Sequence, residues 1–177
     1  QIDTLGSKTE GWVSGLQLAA LSLRGQTDVD QFLHSFAGSN RFILDYLIEE
    51  VFRQQPAEIR DFLLQTAVLE QLSAALCAAI FADGAMTVPK AQAMLERLDQ
   101  ANLFIIPLDN SRQWFRYHQL FSDLLRQRLR LEKGDTAVYH QRAGKWFEEN
   151  GFPRRAVNHY LAAAAWDEAA TLISSLS

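Results

Sequence analysis

The chain has 177 residues, 48% of them hydrophobic and 21% charged, enough to bury a substantial core as one domain or two small ones. Its formal net charge of −4 excludes a protein that coats nucleic acid or anionic membrane by charge alone, because phosphate affinity comes mainly from clustered Lys and Arg. A single cysteine, Cys77, excludes an intrachain disulfide and a thiolate metal site, and points to a reducing compartment.

Apolar residues at Trp12, Leu16, Ala19, Ala20 and Leu23 repeat at helical spacing, which predicts a helix over 9–23 with Thr9 as its N-cap and Gly25 as its stop. A short helix over 30–36 and a longer one over 41–52 follow, parted by Gly38-Ser39-Asn40 and closed by Gln54-Gln55-Pro56. Beyond Pro56 the pattern predicts helices over 57–69, 73–81 and 89–101, the last striped by Ala91, Met94, Leu95, Leu98 and Ala101. Aromatic and β-branched runs over 103–108 and 113–117 flank Asp109-Asn110-Ser111-Arg112, which predicts a hairpin, and Pro107 confines the first strand to an edge or ends it. Three helices followed by a hairpin are the order of a winged helix-turn-helix. A helix over 118–131 follows the wing. Three more are predicted over 137–150, with Gly151 as its C-cap glycine, over 153–164, with Pro153 in its first turn, and over 166–175.

The predicted fold is therefore mainly α: a helical subdomain over 1–55, a winged helix-turn-helix with one β-hairpin over 56–134, and TPR-like antiparallel helices over 135–177, where short links return each helix alongside the last. The opening on Gln1 and the close inside a predicted helix read as the ends of an excised fragment. No apolar stretch exceeds about ten residues, half of what a spanning helix needs, and the N-terminus lacks the basic start and apolar segment of a signal peptide. The chain reads as cytoplasmic, with no membrane partner.

Gly6-Ser7-Lys8-Thr9 lacks the glycine spacing and preceding strand of a phosphate-binding loop and reads as the cap of the first helix. The four histidines, His34, His118, His140 and His159, lie far apart in sequence with no metalloprotease spacing, and no nucleophile elbow is present, so no catalytic or metal-ligating residue is assigned. The consecutive pairs Glu49-Glu50 and Glu148-Glu149 point to different parts of a helix surface and read as solvated. Arg126, Arg128 and Arg130 fan around their helix, as a solvated or domain-packing face. Lys90 and Arg97 are balanced by Glu96 and Asp99 on the presumed recognition helix, which disfavours direct DNA binding. Trp12, Trp114, Trp146 and Trp166 read as core and interhelix packing, and Cys77 as an inert core thiol. His118 stands where the second wing strand hands over to a helix. There its amide would be uncommitted and its ring could donate to a phosphate, or the residue could simply cap its own helix or hydrogen-bond within the wing.

Taken in order, Thr9-Glu-Gly-Trp-Val-Ser-Gly-Leu-Gln-Leu-Ala-Ala-Leu-Ser-Leu23, Tyr46-Leu-x-Glu-Glu-Val51, Leu103-Phe-Ile-Ile-Pro-Leu-Asp109 and Arg116-Tyr-His-x-Leu-Phe-x-Asp-Leu-Leu125 resemble the bacterial MalT-like regulators, large ATP-binding LuxR-type transcription factors within the STAND signal-transduction ATPases. The resemblance implies that a phosphate-binding loop and magnesium ligands precede Gln1 and that DNA-reading helices follow Ser177. The chain itself would then hold no cofactor and be no enzyme, while the longer protein would use ATP or ADP with magnesium. Gly15-Leu16-Gln17-Leu18 looks like the family's Gly-Leu-Pro-Leu with Gln in place of Pro, which makes Leu16 and Gln17 candidates to line the adenine pocket. His118 matches the winged-helix histidine that contacts the β-phosphate of ADP in related ATPases. The expected partners are the missing ATPase core and helical sensor of the same chain, with an inducer or regulatory protein as a further one. A stand-alone scaffold binding a protein or small inducer through its C-terminal helices, and a DNA-binding winged helix, are the rival readings.

Overall fold

Three helices follow Pro56 in the computed structural model, and each starts where the sequence supplies a starter. The structure describes residues 52–81, 84–101 and 103–176; the helices expected over 9–23, 30–36 and 41–52, with Trp12, Leu16, Gln17 and His34, lie outside the described residues. Helix α1, Ala57–Thr66, begins after Pro56 with Glu58 in its first turn. In α2, Ala74–Ile80, the Ser73 hydroxyl accepts the Leu76 amide, and in α3, Val88–Gln100, that of Thr87 accepts the Lys90 amide. Pro89 occupies the first turn of α3, where its missing N–H costs nothing.

Helix α1 ends three residues before the expected Leu69. The Thr66 hydroxyl donates to the Phe62 carbonyl and shares a 2.8 Å bond with the Tyr117 phenol, while Ala67 and Leu69 make tight i to i−3 turns. The chain then bends at Glu70 and Gln71 and reaches Leu72, whose amide and carbonyl both bond Phe115 at 2.8 and 2.9 Å.

The wing is a two-stranded antiparallel ribbon, β1 (Ile105–Pro107) against β2 (Phe115–Tyr117), in the register Ile105 to Tyr117 and Pro107 to Phe115. Pro107 does end β1, as its ring requires. Backbone bonds alternate in direction along an antiparallel strand, so the polar groups of Phe115 face Leu72 and the absent N–H of Pro107 leaves nothing unbonded. The Asp109 carboxylate closes the turn by accepting Ser111 Oγ at 2.7 Å and the Gln113 and Trp114 amides at 3.1 and 2.8 Å; the Ser111 bond first, then these amides, lowers its pKa.

Helix α4, Gln119–Lys133, starts one residue later than expected, with His118 as its N-cap. It covers a core centred on Phe62, Leu72, Leu76, Phe115 and Phe121, all fully buried, with the Phe104 and Tyr117 rings 5.0 and 5.9 Å from that of Phe121. Cys77 belongs to this core, and burial pushes its thiol up.

Helices α5 (Ala137–Glu149), α6 (Pro153–Ala162) and α7 (Trp166–Ser175) pack in succession, and α5 also docks on α2, where Arg142 donates to the Ile80 carbonyl at 2.8 Å. The two links have the same geometry. After α5, the Phe152 amide reaches the Phe147 carbonyl and the Gly151 amide that of Glu148, with Gly151 at φ +80. After α6, the Ala165 amide reaches Tyr160 and the Ala164 amide Leu161, with Ala164 at φ +54. Trp146 packs between helices as expected, stacked on Phe152 at 6.3 Å, but Trp166 is 63% exposed and is no core residue.

Candidate functional site

His118 sits at the junction between strand β2 and helix α4, which fixes its backbone from both sides. Its amide donates to the Phe104 carbonyl at 2.8 Å, so the expectation of an uncommitted N–H is wrong: the wing's first strand starts one residue after Phe104 and reaches across to claim it. Its own carbonyl accepts the Ser122 amide at 2.9 Å, the first bond of α4. The side chain makes no cap bond to its helix and is 5% exposed. His118 is thus the N-cap of α4 by its backbone, without a side-chain bond to the helix. Leu16 and Gln17 lie outside the described residues, so nothing brings them to His118 here.

The charges of α3 are engaged locally. Lys90 pairs with Glu58 of α1 at 2.6 Å, and Asp99 with Arg112 of the wing turn at 3.3 Å. Of the two basic residues of α3, Lys90 is thus paired within the domain.

A second cluster was not anticipated. His140 and His159, taken in sequence as far apart, meet across α5 and α6 with their Nδ1 atoms 3.0 Å apart and rings 5.1 Å apart. Nineteen residues separate them, a spacing that only the register of the helical hairpin brings into contact. Two adjacent expectations change accordingly. Arg126 and Arg130, one helical turn apart, do share a face of α4, and with both imidazoles they line a cleft of about 280 Å³ whose other walls include Val68, Glu70, Leu129, Thr136, Asn158 and Ala162. Arg126 is anchored there, Nε donating to the Ala67 carbonyl at 3.1 Å. Glu148, expected to be merely solvated, accepts the Tyr160 phenol at 2.6 Å, and burial followed by that carboxylate holds the phenol protonated.

Neutral imidazoles can bond Nδ1 to Nδ1 only if one carries its proton there and the other on Nε2. Burial, then the Arg126 charge, lowers the pKa of His140; burial, then His140 and Arg155, pushes that of His159 down to about 4. Between about pH 4 and the unperturbed value near 6.5 the unfolded chain thus binds more protons than the folded one, and stability rises with pH across that window and levels off above it. His159 is half-buried, so solvent trims the effect: lowering the pH from 7 to 5 is expected to cost about 1 kcal/mol more in the wild type than in the double variant His140→Gln, His159→Gln. Urea unfolding in buffers free of phosphate and sulfate checks this difference.

The chain is similar in sequence to known proteins. The family described as MalT winged helix domain matches residues 48–137. The serine/threonine-protein kinase PknK of Mycobacterium tuberculosis is 38% identical over 165 residues, covering 92% of this chain and 14% of that protein. The HTH-type transcriptional regulator MalT of Cronobacter sakazakii is 36% identical over 166 residues, 92% of this chain and 18% of its own, and that of Klebsiella pneumoniae is 36% identical over 156 residues, 86% and 17%. The chain thus spans less than a fifth of these relatives.

Proposed function

The chain belongs to the MalT winged helix domain family, and from that premise we propose that it is the relay segment of a larger ATP-dependent transcription regulator, passing the nucleotide state of an ATPase core to an effector-sensing helical array. In this reading His118 is the latch on the β-phosphate of ADP, Leu16 and Gln17 line the adenine pocket, and ATP or ADP with magnesium belongs to the longer protein. One observation carries the proposal: His118 joins β2 to α4 with its backbone bonded on both sides. A force on its ring is therefore transmitted to α4, and α4 touches both α1, through Arg126 and Ala67, and the cleft shared with α5 and α6. The relatives add support. The same stretch recurs in a protein named a kinase and in proteins named transcriptional regulators, so its task is separable from either output.

Coupling of this kind requires two packings that differ in affinity for ADP and ATP. In a chain that includes the ATPase core, His118→Ala is expected to weaken ADP binding about tenfold, the worth of one charge-assisted hydrogen bond, and to raise basal output. Unchanged ADP affinity together with unchanged basal transcription would sink the latch. The second reading, a scaffold for a protein or small inducer, draws on the exposed apolar side chains Leu161, Trp166 and Ile173 of α6 and α7. Loss of inducer binding on deleting 136–177, with ADP affinity retained, would favour it.

A further inference from the structure

We propose that the cleft between α4 and the α5–α6 hairpin is a binding site for a small phosphate-bearing ligand, held by Arg126 and Arg130 and by the His140–His159 pair. The site is distinct from the His118 latch: eight residues of helix separate Arg126 from His118, about 12 Å along the axis.

The donors are of the kind that phosphate requires. Arg126 has Nε committed to Ala67 and one Nη at 4.0 Å from Asp123, the limit of an ion pair, which leaves much of its fork for a ligand. Arg130, one turn further on, is exposed and enters no ion pair among the described residues. Two guanidinium groups on one helix face favour a tetrahedral oxyanion, which offers oxygens to both forks at once. The cleft's described acid is Glu70, exposed on the link after α1; Asp123 lies beside Arg126, and Arg155 of α6 lies over the Phe147 and Phe152 rings at 5.6 Å. Basic charge therefore prevails. A volume of about 280 Å³ falls just short of the usual ligand pocket and suits a phosphate ester of a small metabolite better than a nucleotide.

The imidazole pair adds a proton-linked grip. With both rings neutral, only one Nε2 carries a hydrogen. One proton taken up from solvent at the other Nε2 gives both rings an N–H there and leaves the Nδ1–H···Nδ1 bond intact; a second would break it. An anion in the cleft favours the singly protonated pair, so binding takes up at most one proton and strengthens as the pH falls.

Calorimetric titration of the 177-residue chain with sulfate, inorganic phosphate and a hexose 6-phosphate tests this. Sulfate stays dianionic over the range and isolates the protein's own proton. One saturable site is expected for each anion, with sulfate binding roughly tenfold tighter at pH 5.5 than at 7.5 and proton uptake approaching one. Arg130→Ala, at an exposed position outside every ion pair among the described residues, is expected to weaken every anion roughly tenfold. The double variant His140→Gln, His159→Gln is expected to abolish the pH dependence of sulfate affinity. A hexose 6-phosphate binding tighter than inorganic phosphate identifies the ester as the ligand class. Absence of saturation, affinity indifferent to Arg130→Ala, a flat sulfate profile in the wild type, or tighter binding of acetate than of phosphate overturns the proposal.

Discussion

Phe115→Ala is expected to lower the unfolding free energy by about 4 kcal/mol, within the range for emptying a buried aromatic site. The ring is fully buried, and its residue lies between Leu72 on one side and Pro107 on the other. Both backbone bonds to Leu72 survive the substitution, so the loss reports the side chain: its apolar area and the cavity it leaves in the core. Leu131→Ala, at a position 71% exposed on the last turn of α4, is expected to stay within about 0.5 kcal/mol of wild type. Urea denaturation of both variants checks the contrast. Equal effects would mean that the wing is not built on Phe115, and with it would go the rigid frame two residues before Tyr117 and three before His118.

That frame was partly legible in the sequence. Helical periodicity and breakers placed seven helices from Pro56 onward to within a few residues, because Pro56, Gly151 and Pro153 act on the backbone locally. Asp109 and Pro107 marked the turn and the strand end for the same reason. What escaped were features decided by tertiary register. The single pairing of Leu72 with Phe115, the Phe104 backbone at φ +58 and its bond to the His118 amide all depend on strands meeting across the domain. The histidine pair is the clearest instance. His140 and His159 each sit unremarkably on an amphipathic helix, and only the three-residue link 150–152 sets the register that joins them. Arg126 and Arg130 looked like a solvated fan until α5 and α6 supplied the other wall of their cleft. His118 was picked out by its place at a strand-to-helix junction, but its committed amide was not foreseeable without Phe104.

Gly144 yields the second large effect, and helix propensity predicts the opposite sign. A glycine inside α5 costs up to about 1 kcal/mol relative to alanine, so on propensity alone Gly144→Ala should stabilise. A Cβ there would meet the Tyr160 ring at 2.7 Å from Cε1 and 2.8 Å from Cδ1. That ring is buried and pinned at its far end by the 2.6 Å bond to Glu148, so it cannot swing aside cheaply. Overpacking therefore outweighs propensity: Gly144→Ala is expected to destabilise by about 1 kcal/mol net and Gly144→Val by about 3 kcal/mol. In a Tyr160→Ala background the obstacle is gone, and Gly144→Ala should become neutral or stabilising, a coupling that a double-mutant cycle in urea measures directly. No coupling would mean that α5 and α6 do not approach through this glycine. The cycle also bears on the cleft, because His140 lies one turn before Gly144 and His159 immediately precedes Tyr160. Forcing the two helices apart lengthens the 3.0 Å imidazole contact and admits water to both rings, whose burial is the main cause of their lowered pKa, so Gly144→Val is expected to diminish the extra loss of stability between pH 7 and 5.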